Sequence, residues 1–256
     1  MEVSRLANHK RDDLRSVALS DDQNRALTEI HSGFGENKPV LLHGVTGAGK
    51  TEIYVELIKE QLEKGKQILF LLPEIALTTQ LIQRLSKFFG EQVGVYHSKF
   101  NQNERVEIWR AVLNNNTNRF RIILGARSSL FLPFQDLGLI VVDEEHDASF
   151  KQHDPSPRYN ARDSAIVLSK FHKANIVLGS ATPSIESYYN AQVGKYHLVE
   201  LLKRYSGVQM PEILCADMRK ARQQKALNGD FSFYLIDHIK EALTNKEQVI
   251  LFQNRR

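Results

Sequence analysis

Cysteine is almost missing from this chain: Cys215 stands alone, so neither an internal disulfide nor a multi-thiolate zinc site can be built from its residues. Cys215 reads as a plain, partly buried thiol. Also missing is any apolar run near the ~18 to 20 residues that a membrane-spanning helix needs. The N-terminus, Met1-Glu2-Val3-Ser4-Arg5, lacks the apolar stretch of a signal peptide. These absences predict a soluble, cytosolic chain with no membrane partner. There is no internal repeat, no low-complexity segment and no tract rich in proline or in glycine and serine, so disorder is not the default.

What is present is an ordinary folded composition, 42% hydrophobic and 25% charged over 256 residues. That length suits one large domain, or one domain and part of another, with a sizeable core. The formal charge of +4 permits a polyanionic partner without demanding one. Its distribution says more. Lys99 to Arg127 holds six Lys/Arg against two acids, Lys203 to Lys225 again six against two, while acids gather at Asp143 to Asp147. Basic surface around an acidic centre is one reading and simple solvated faces the other.

Short apolar runs alternate with amphipathic stretches, which predicts an α/β fold with a mainly parallel sheet wound on both faces. Strands are expected at Pro39–Val45, Gln67–Leu72, Gln92–Tyr96, Arg121–Gly125, Leu137–Val142 and Asn175–Gly179. Helices are expected at Lys50–Lys64, Ala76–Phe89, Gln102–Asn114, Ala161–His172 and Ser184–Val193, with Trp109 on a core-facing side. The rhythm weakens over Tyr196–Leu227, then resumes with a helix near Phe231–Thr244 and a strand at Gln248–Gln253, as if a second domain were cut short. The implied division is a linker at 1–18, a main lobe at 19–204, and a linker with the start of a second lobe at 205–256.

Gly44-Val45-Thr46-Gly47-Ala48-Gly49-Lys50-Thr51 fits the P-loop pattern G-x-x-x-x-G-K-[ST] and lies between an expected strand and helix. Glycines let successive backbone N–H groups wrap a phosphate, and the helix N-terminus adds positive potential. Lys50 supplies a point charge to the β and γ phosphates, and the Thr51 hydroxyl suits Mg²⁺. Leu139-Ile140-Val141-Val142-Asp143-Glu144-Glu145-His146-Asp147 is a buried strand running into acids at its carboxyl end, where open α/β sheets bind ligands. There Asp143 can hold Mg²⁺ through water, and Glu144 can orient and deprotonate an attacking water. Gly179-Ser180-Ala181-Thr182-Pro183 follows a strand expected beside the acidic one. Its local chemistry favours a helix cap; the alternative is that Ser180 and Thr182 bond the acidic motif and relay nucleotide state.

Together with Leu72–Thr78, Gly125–Phe131, Arg158–Asp163 and the terminal Asn254-Arg255-Arg256, these motifs resemble the superfamily 2 helicases, and within them the replication-restart branch, from about Leu19 onward. The Asp-Glu-Glu-His-Asp form of the acidic motif, followed by an aromatic and basic loop, separates that branch from its DEAD- and DEAH-box relatives. The resemblance implies a P-loop NTPase with a RecA-like first lobe using ATP and Mg²⁺. It implies an ATP-dependent 3′–5′ DNA helicase, acting in the bacterial cytoplasm near the nucleoid. Single-stranded and forked DNA, primosome proteins and single-strand-binding proteins would be its partners. Zinc is implied only in a cysteine-rich module beyond Asn254-Arg255-Arg256.

By the same resemblance Gln23, in Leu19–Gln23, pairs with the adenine edge, although Ser20 and Gln23 also have the spacing of a capping box. Phe150, Lys151, His153, Arg158, Tyr159 and Arg162 fall in a loop that would sense single-stranded DNA by stacking and backbone attraction; the alternative is a surface loop whose aromatics fill a satellite core. Arg127 with Ser128 and Ser129, and His97 with Ser98, resemble segments that contact the DNA backbone. Arginines from a second lobe would complete the site, and their removal costs a factor of ~10³ to 10⁵ in rate. A lobe that binds nucleotide and DNA without turnover is therefore the rival reading, together with other P-loop NTPases. A GTP switch needs a guanine-reading motif, which the sequence lacks.

Overall fold

Seven apolar runs line up in one sheet because each is flanked by amphipathic helices that cover both of its faces. The structure, a computed structural model, describes residues 18–73, 79–97, 102–115, 118–204 and 212–252. The chain divides into two compact units, Met1–Val208 and Gln209–Arg256. In chain order the first holds α1 (Asp21–Gly35), β1 (Val40–Gly44), α2 (Lys50–Glu63), β2 (Gln67–Leu71), α3 (Thr79–Phe89), β3 (Val93–Tyr96) and α4 (Gln102–Asn114). It continues with β4 (Ile122–Gly125), β5 (Leu137–Asp143), α5 (Ala161–His172), β6 (Asn175–Ser180), α6 (Ile185–Gln192) and β7 (His197–Leu201).

The strand order is β3-β4-β2-β5-β6-β1-β7, and every pairing is parallel. Period-two alternation splits the strands between two cores. Val40, Leu42, Ile68, Phe70, Leu139, Val141 and Val177 pack with Ala26 and Ile30 of α1, Ile53, Tyr54, Leu57 and Ile58 of α2, and Leu85 of α3. Leu41, Leu69, Leu71, Ile140, Val142, Ile176 and Leu178 pack on the opposite face with Ile108 and Val112 of α4 and Ala161 and Ala165 of α5. Each fully buried aliphatic side chain contributes roughly 1.5–3 kcal/mol, so these two layers carry the fold.

One buried amide in the sheet has partners on both its oxygen and its nitrogen. Gln67 is buried at the start of β2; its amide donates to the Val112 carbonyl (2.9 Å) and accepts from the backbone N–H groups of Gln135 (2.8 Å) and Asp136 (3.0 Å). One side chain thus ties β2 to the end of α4 and to the entry of β5.

The expected strands and helices of this unit form within a few residues of their sequence bounds, except that the expected start of α3 at Ala76 lies outside the described residues. The seventh strand, β7, was not anticipated. Its signal is weak because only Val199 and Leu201 are fully buried, and it sits at the sheet edge beside β1. Trp109, expected in the core, is 43% exposed. At 100° per residue it lies off the stripe that Ile108 and Val112 bury.

The second unit contains α7 (Met218–Gln223), β8 (Leu227–Asn228), β9 (Phe231–Ser232) and α8 (Phe233–Thr244), with β8 and β9 paired antiparallel. Ser232 caps α8 through the Leu235 N–H. The strand expected at Gln248–Gln253 does not form over the described part of that range, and Ile250 is 93% exposed. An apolar run becomes a strand only where a neighbouring strand takes its backbone groups, and among the described residues of this unit the only ladder is the short β8–β9 pair. Cys215, expected to be partly buried, is exposed, since it lies in irregular chain before α7.

Gln67→Leu keeps the size of the side chain and abandons three backbone groups, one buried and two part-buried. At ~1–3 kcal/mol for a buried unpaired group and less for the others, it is expected to lower the unfolding free energy by about 2 kcal/mol or more in urea titration. A loss under 1 kcal/mol would show that water replaces the amide.

Candidate nucleotide site

All seven strands end on the same edge, and the two motif-bearing ones, β1 and β5, flank β6. After β1 the chain turns through Gly47 (φ 78°) and Gly49 (φ 88°), left-handed conformations that glycine adopts without strain. Gly49 is the N-cap of α2 and offers no side-chain cap, whereas α1, α5 and α6 are capped by Ser20, Asn160 and Ser184. The first N–H groups of α2 are therefore left for an external anion. They open on a cleft of about 630 Å³ lined by Thr46, Gly47, Gly49, Lys50, Thr51, Asp143 and Glu144. Gly44 and Ala48 shape the loop behind it, and the Lys50 ammonium donates to the Gly44 carbonyl (2.8 Å). At the mouth, Arg84 of α3 pairs with Glu52 of α2.

Gln23 forms the capping box: Ser20 N–H donates to its Oε1 (2.8 Å), and its own N–H donates to Ser20 Oγ (3.3 Å). Its amide nitrogen donates to the carbonyls of Ala48 (3.4 Å) and Gly49 (3.2 Å). In this structure Gln23 braces the P-loop from behind with its amide fully engaged, so adenine pairing requires those bonds to exchange.

At the end of β5, Asp143 is in register with Gly179 of β6. Its Oδ1 accepts from the buried Tyr54 hydroxyl (3.0 Å). Desolvation pushes the Asp143 carboxyl up to about 6; the neighbouring Glu144 charge adds to this, while Lys50 and the Tyr54 bond oppose it. Burial, and next the Asp143 charge, raise the Tyr54 phenol well above its ordinary value, so it remains a donor. Glu144 follows at φ 52°, a left-handed conformation costly for a side chain with a Cβ. The turn holds it there through Asp147 N–H to the Glu144 carbonyl (2.8 Å) and Glu145 N–H to the Gly179 carbonyl (3.0 Å).

Glu145 turns the other way. Its side chain is 0% exposed and accepts from the Ser184 N–H (2.7 Å), the hydroxyls of Ser184 (3.1 Å) and Ser187 (2.8 Å), and the Arg162 guanidinium (3.0 Å). Three elements, the acidic turn, the start of α5 and the start of α6, meet on one carboxylate. Sequence reasoning missed it because nothing in a run of acids marks which one points inward. His146 lies between the hydroxyls of Ser180 (Nδ1, 2.7 Å) and Thr182 (Nε2, 3.4 Å), while Ser180 Oγ accepts from Thr182 N–H (2.9 Å). The cap of α6 is Ser184, and the Ser180–Thr182 segment bonds the acidic motif instead.

The aromatic and basic loop is placed otherwise than expected. Phe150, expected to meet DNA, is 1% exposed and packed in the core with Val142 and Leu178, so no base can stack on it in this conformation. Tyr159 packs partly against the same core, edge-on to Phe131 (5.1 Å), with its hydroxyl donating to the Arg127 carbonyl (3.4 Å). Arg127 donates to the carbonyls of Ser149 (3.2 Å) and Lys151 (2.9 Å), binding the loop rather than presenting its charge outward. His97, expected at a DNA backbone, is buried at the end of β3. Ser128, His153 and Arg158 are exposed, and Lys151 is half-buried. Ser98 and most of Leu72–Thr78 lie outside the described residues, as do the terminal Asn254-Arg255-Arg256.

Among the described residues no three His, Cys, Asp or Glu converge as a metal cage. One carboxylate beside a threonine at a phosphate loop is the donor set Mg²⁺ takes when phosphates and water complete its shell. Asp143 and Thr51 line one cleft and fit that ion.

A P-loop on a wholly parallel sheet covered on both faces, with paired acids two strands away, defines a P-loop NTPase lobe of RecA-like fold. The chain belongs to the DEAD/DEAH box helicase family, whose model matches residues 20–191. It is 50% identical over 238 residues to the Replication restart protein PriA of Rickettsia felis, covering 93% of this chain and 35% of that protein. It is 42% identical over 245 residues to the protein of the same name from Bacillus subtilis, covering 94% and 29%. The chain thus spans about a third of the length of the curated relatives it matches. A solved structure of RecG bound to a three-way DNA junction aligns over 75% of this chain and 24% of that one, with a TM-score of 0.52 and 24% identity, a likeness of fold. No helix among the described residues is long and apolar enough to cross a membrane.

Arg162→Ala strands the Glu145 charge without its cation. A loss of about 3–5 kcal/mol in unfolding free energy is expected, with partial recovery when Glu145→Gln is added. Additive losses in the double variant would show that the ion pair is not the reason.

Because the Asp143 carboxyl is raised in the folded state, its destabilising effect is absent below about pH 4, develops as pH rises through 6, and is complete above. Asp143→Asn should therefore have a higher unfolding free energy than the parent at pH 8 in EDTA, by roughly 3 kcal/mol, with the gap closing towards pH 4. A gap independent of pH would mean that packing, not charge, separates the two.

Proposed function

We propose that this chain is the ATP-binding lobe of an ATP-dependent DNA helicase that opens stalled or forked DNA for primosome assembly and replication restart, moving 3′ to 5′. The observation that carries the reading is the single cleft in which the uncapped start of α2, Lys50 and Thr51 face Asp143 and Glu144. Residues 19–204 would form this lobe and 205–256 the start of a second. The names of the curated relatives support the restart role, and primosome and single-strand-binding proteins would be partners of the whole protein.

In this reading the Lys50 ammonium leaves the Gly44 carbonyl for the β and γ phosphates, while the α2 N–H groups hold the β phosphate. Thr51 and Asp143 would hold Mg²⁺, whose charge stabilises the phosphate oxygens. Glu144, fixed in its left-handed turn, orients the attacking water and accepts its proton. Ser128, His153 and Arg158, which are exposed, would meet a DNA backbone together with Lys151. Phe150, Tyr159, Arg127 and Arg162 would act by coupling: they bind the loop to the core and, through Glu145, to the acidic turn. Ser180 and Thr182 would add a second link through His146.

Phosphate release by the full-length protein, with and without single-stranded DNA, tests the reading. Lys50→Ala is expected to lose Mg·ATP binding, and Glu144→Gln to keep it while releasing phosphate at under about a tenth of the parent rate. Equal ATP affinity of Lys50→Ala and parent by calorimetry would refute the nucleotide site, and persistent turnover in Glu144→Gln would remove Glu144 as the base.

A further inference from the structure

Tyr54 lies inside the core of the lobe, fully buried on α2, with its ring edge-on to Phe70 at 5.5 Å. A phenylalanine would satisfy that packing. The hydroxyl reaches across β6 to Asp143 Oδ1 (3.0 Å). It can do so only because the residue between them is Gly179, in register with Asp143: a Cβ there would overlap the Tyr54 hydroxyl, approach its Cζ to 3.0 Å and meet Asp143 Oδ1 at 3.0 Å. A buried phenol needs a hydrogen-bond partner, and here a gap in the neighbouring strand directs it to a single acid at the cleft.

We infer that Tyr54 is a positioning residue for the metal-binding carboxylate: its hydroxyl fixes Asp143 through Oδ1 so that Oδ2 is left for the ion in the cleft, and Gly179 is the opening that permits it. This rests on the nucleotide-site reading above. A carboxylate on a strand end otherwise samples several rotamers, and only some bring an oxygen towards Thr51. The bond from Tyr54 removes that freedom before the ion arrives, from the side opposite the ligand. Tyr54 touches neither nucleotide nor ion, so its effect belongs to the metal-dependent part of binding and not to the phosphate loop.

The test is titration of the 256-residue chain with a fluorescent ATP analogue, at varied Mg²⁺ and in EDTA. Tyr54→Phe is expected to raise the half-saturating Mg²⁺ concentration about fivefold or more, while nucleotide affinity in EDTA stays within about twofold of the parent. Gly179→Ala should give a similar shift, and Tyr54→Phe combined with Gly179→Ala no more than the larger single shift, since both break the same bond. If the parent binds nucleotide and Tyr54→Phe has unchanged Mg²⁺ dependence, with or without a lowered melting temperature, the hydroxyl is merely satisfied and the positioning role is overturned. A parent that binds no nucleotide in either condition overturns the site reading, and this role with it.

Discussion

The constraint on which the rest depends is that all seven strands run the same way. A wholly parallel sheet sends every strand's carboxyl end to one edge, so loops that are far apart in sequence must meet there. The strand order places β6 between β1 and β5, which sets the P-loop and the acidic turn two strand spacings, roughly 10 Å, apart. That gap leaves room for a phosphate chain and an ion. It also makes β6 a shared wall between β1 and β5. Glycine at 179 and serine at 180 are small enough to let Tyr54 pass on one side and His146 dock on the other.

The acidic turn is held by opposed anchors. Asp143 is gripped through Tyr54, Glu145 by Arg162 and two serines, and His146 by Ser180 and Thr182. Between these fixed neighbours Glu144 occupies a left-handed conformation that few residues adopt unaided. Backbone strain of this sort persists only where the surroundings over-determine it. The strained residue lines the cleft beside Asp143, so rigidity around it fixes where the two carboxylates stand.

Much of this was legible in advance. Helix–strand alternation yields a parallel sheet, and the spacing from Gly44 to Thr51 marks the phosphate loop, because both depend on local pattern alone. What escaped were choices made by tertiary context. Edge strand β7 shows too little alternation to be recognised without β1 beside it. Gln248–Phe252 has the pattern of a strand but no ladder to join. Trp109 differs from its buried neighbour Ile108 by one step around a helix, which composition does not resolve. Phe150 carries the residue type expected of a stacking platform, and its burial depends on the space between β5, β6 and α5.

Glu145 shows the same limit from the other side. Adjacent carboxylates at a strand end look interchangeable, yet one faces solvent-filled space and the next accepts four hydrogen bonds in the interior. The difference lies in the turn itself: with φ at 52° for Glu144, the chain reverses so that residues 144 and 145 project to opposite sides, a geometry no side-chain propensity encodes. Once Glu145 is buried, its charge requires a cation, and Arg162 at the first turn of α5 supplies it. Because α5 follows directly on the loop at 151–160, the position of that loop and the conformation of Glu144 are joined through one salt bridge of 3.0 Å. Any displacement of the loop that moves α5 must then either break a buried ion pair or strain the acidic turn against its other anchors, Tyr54, Ser180 and Thr182.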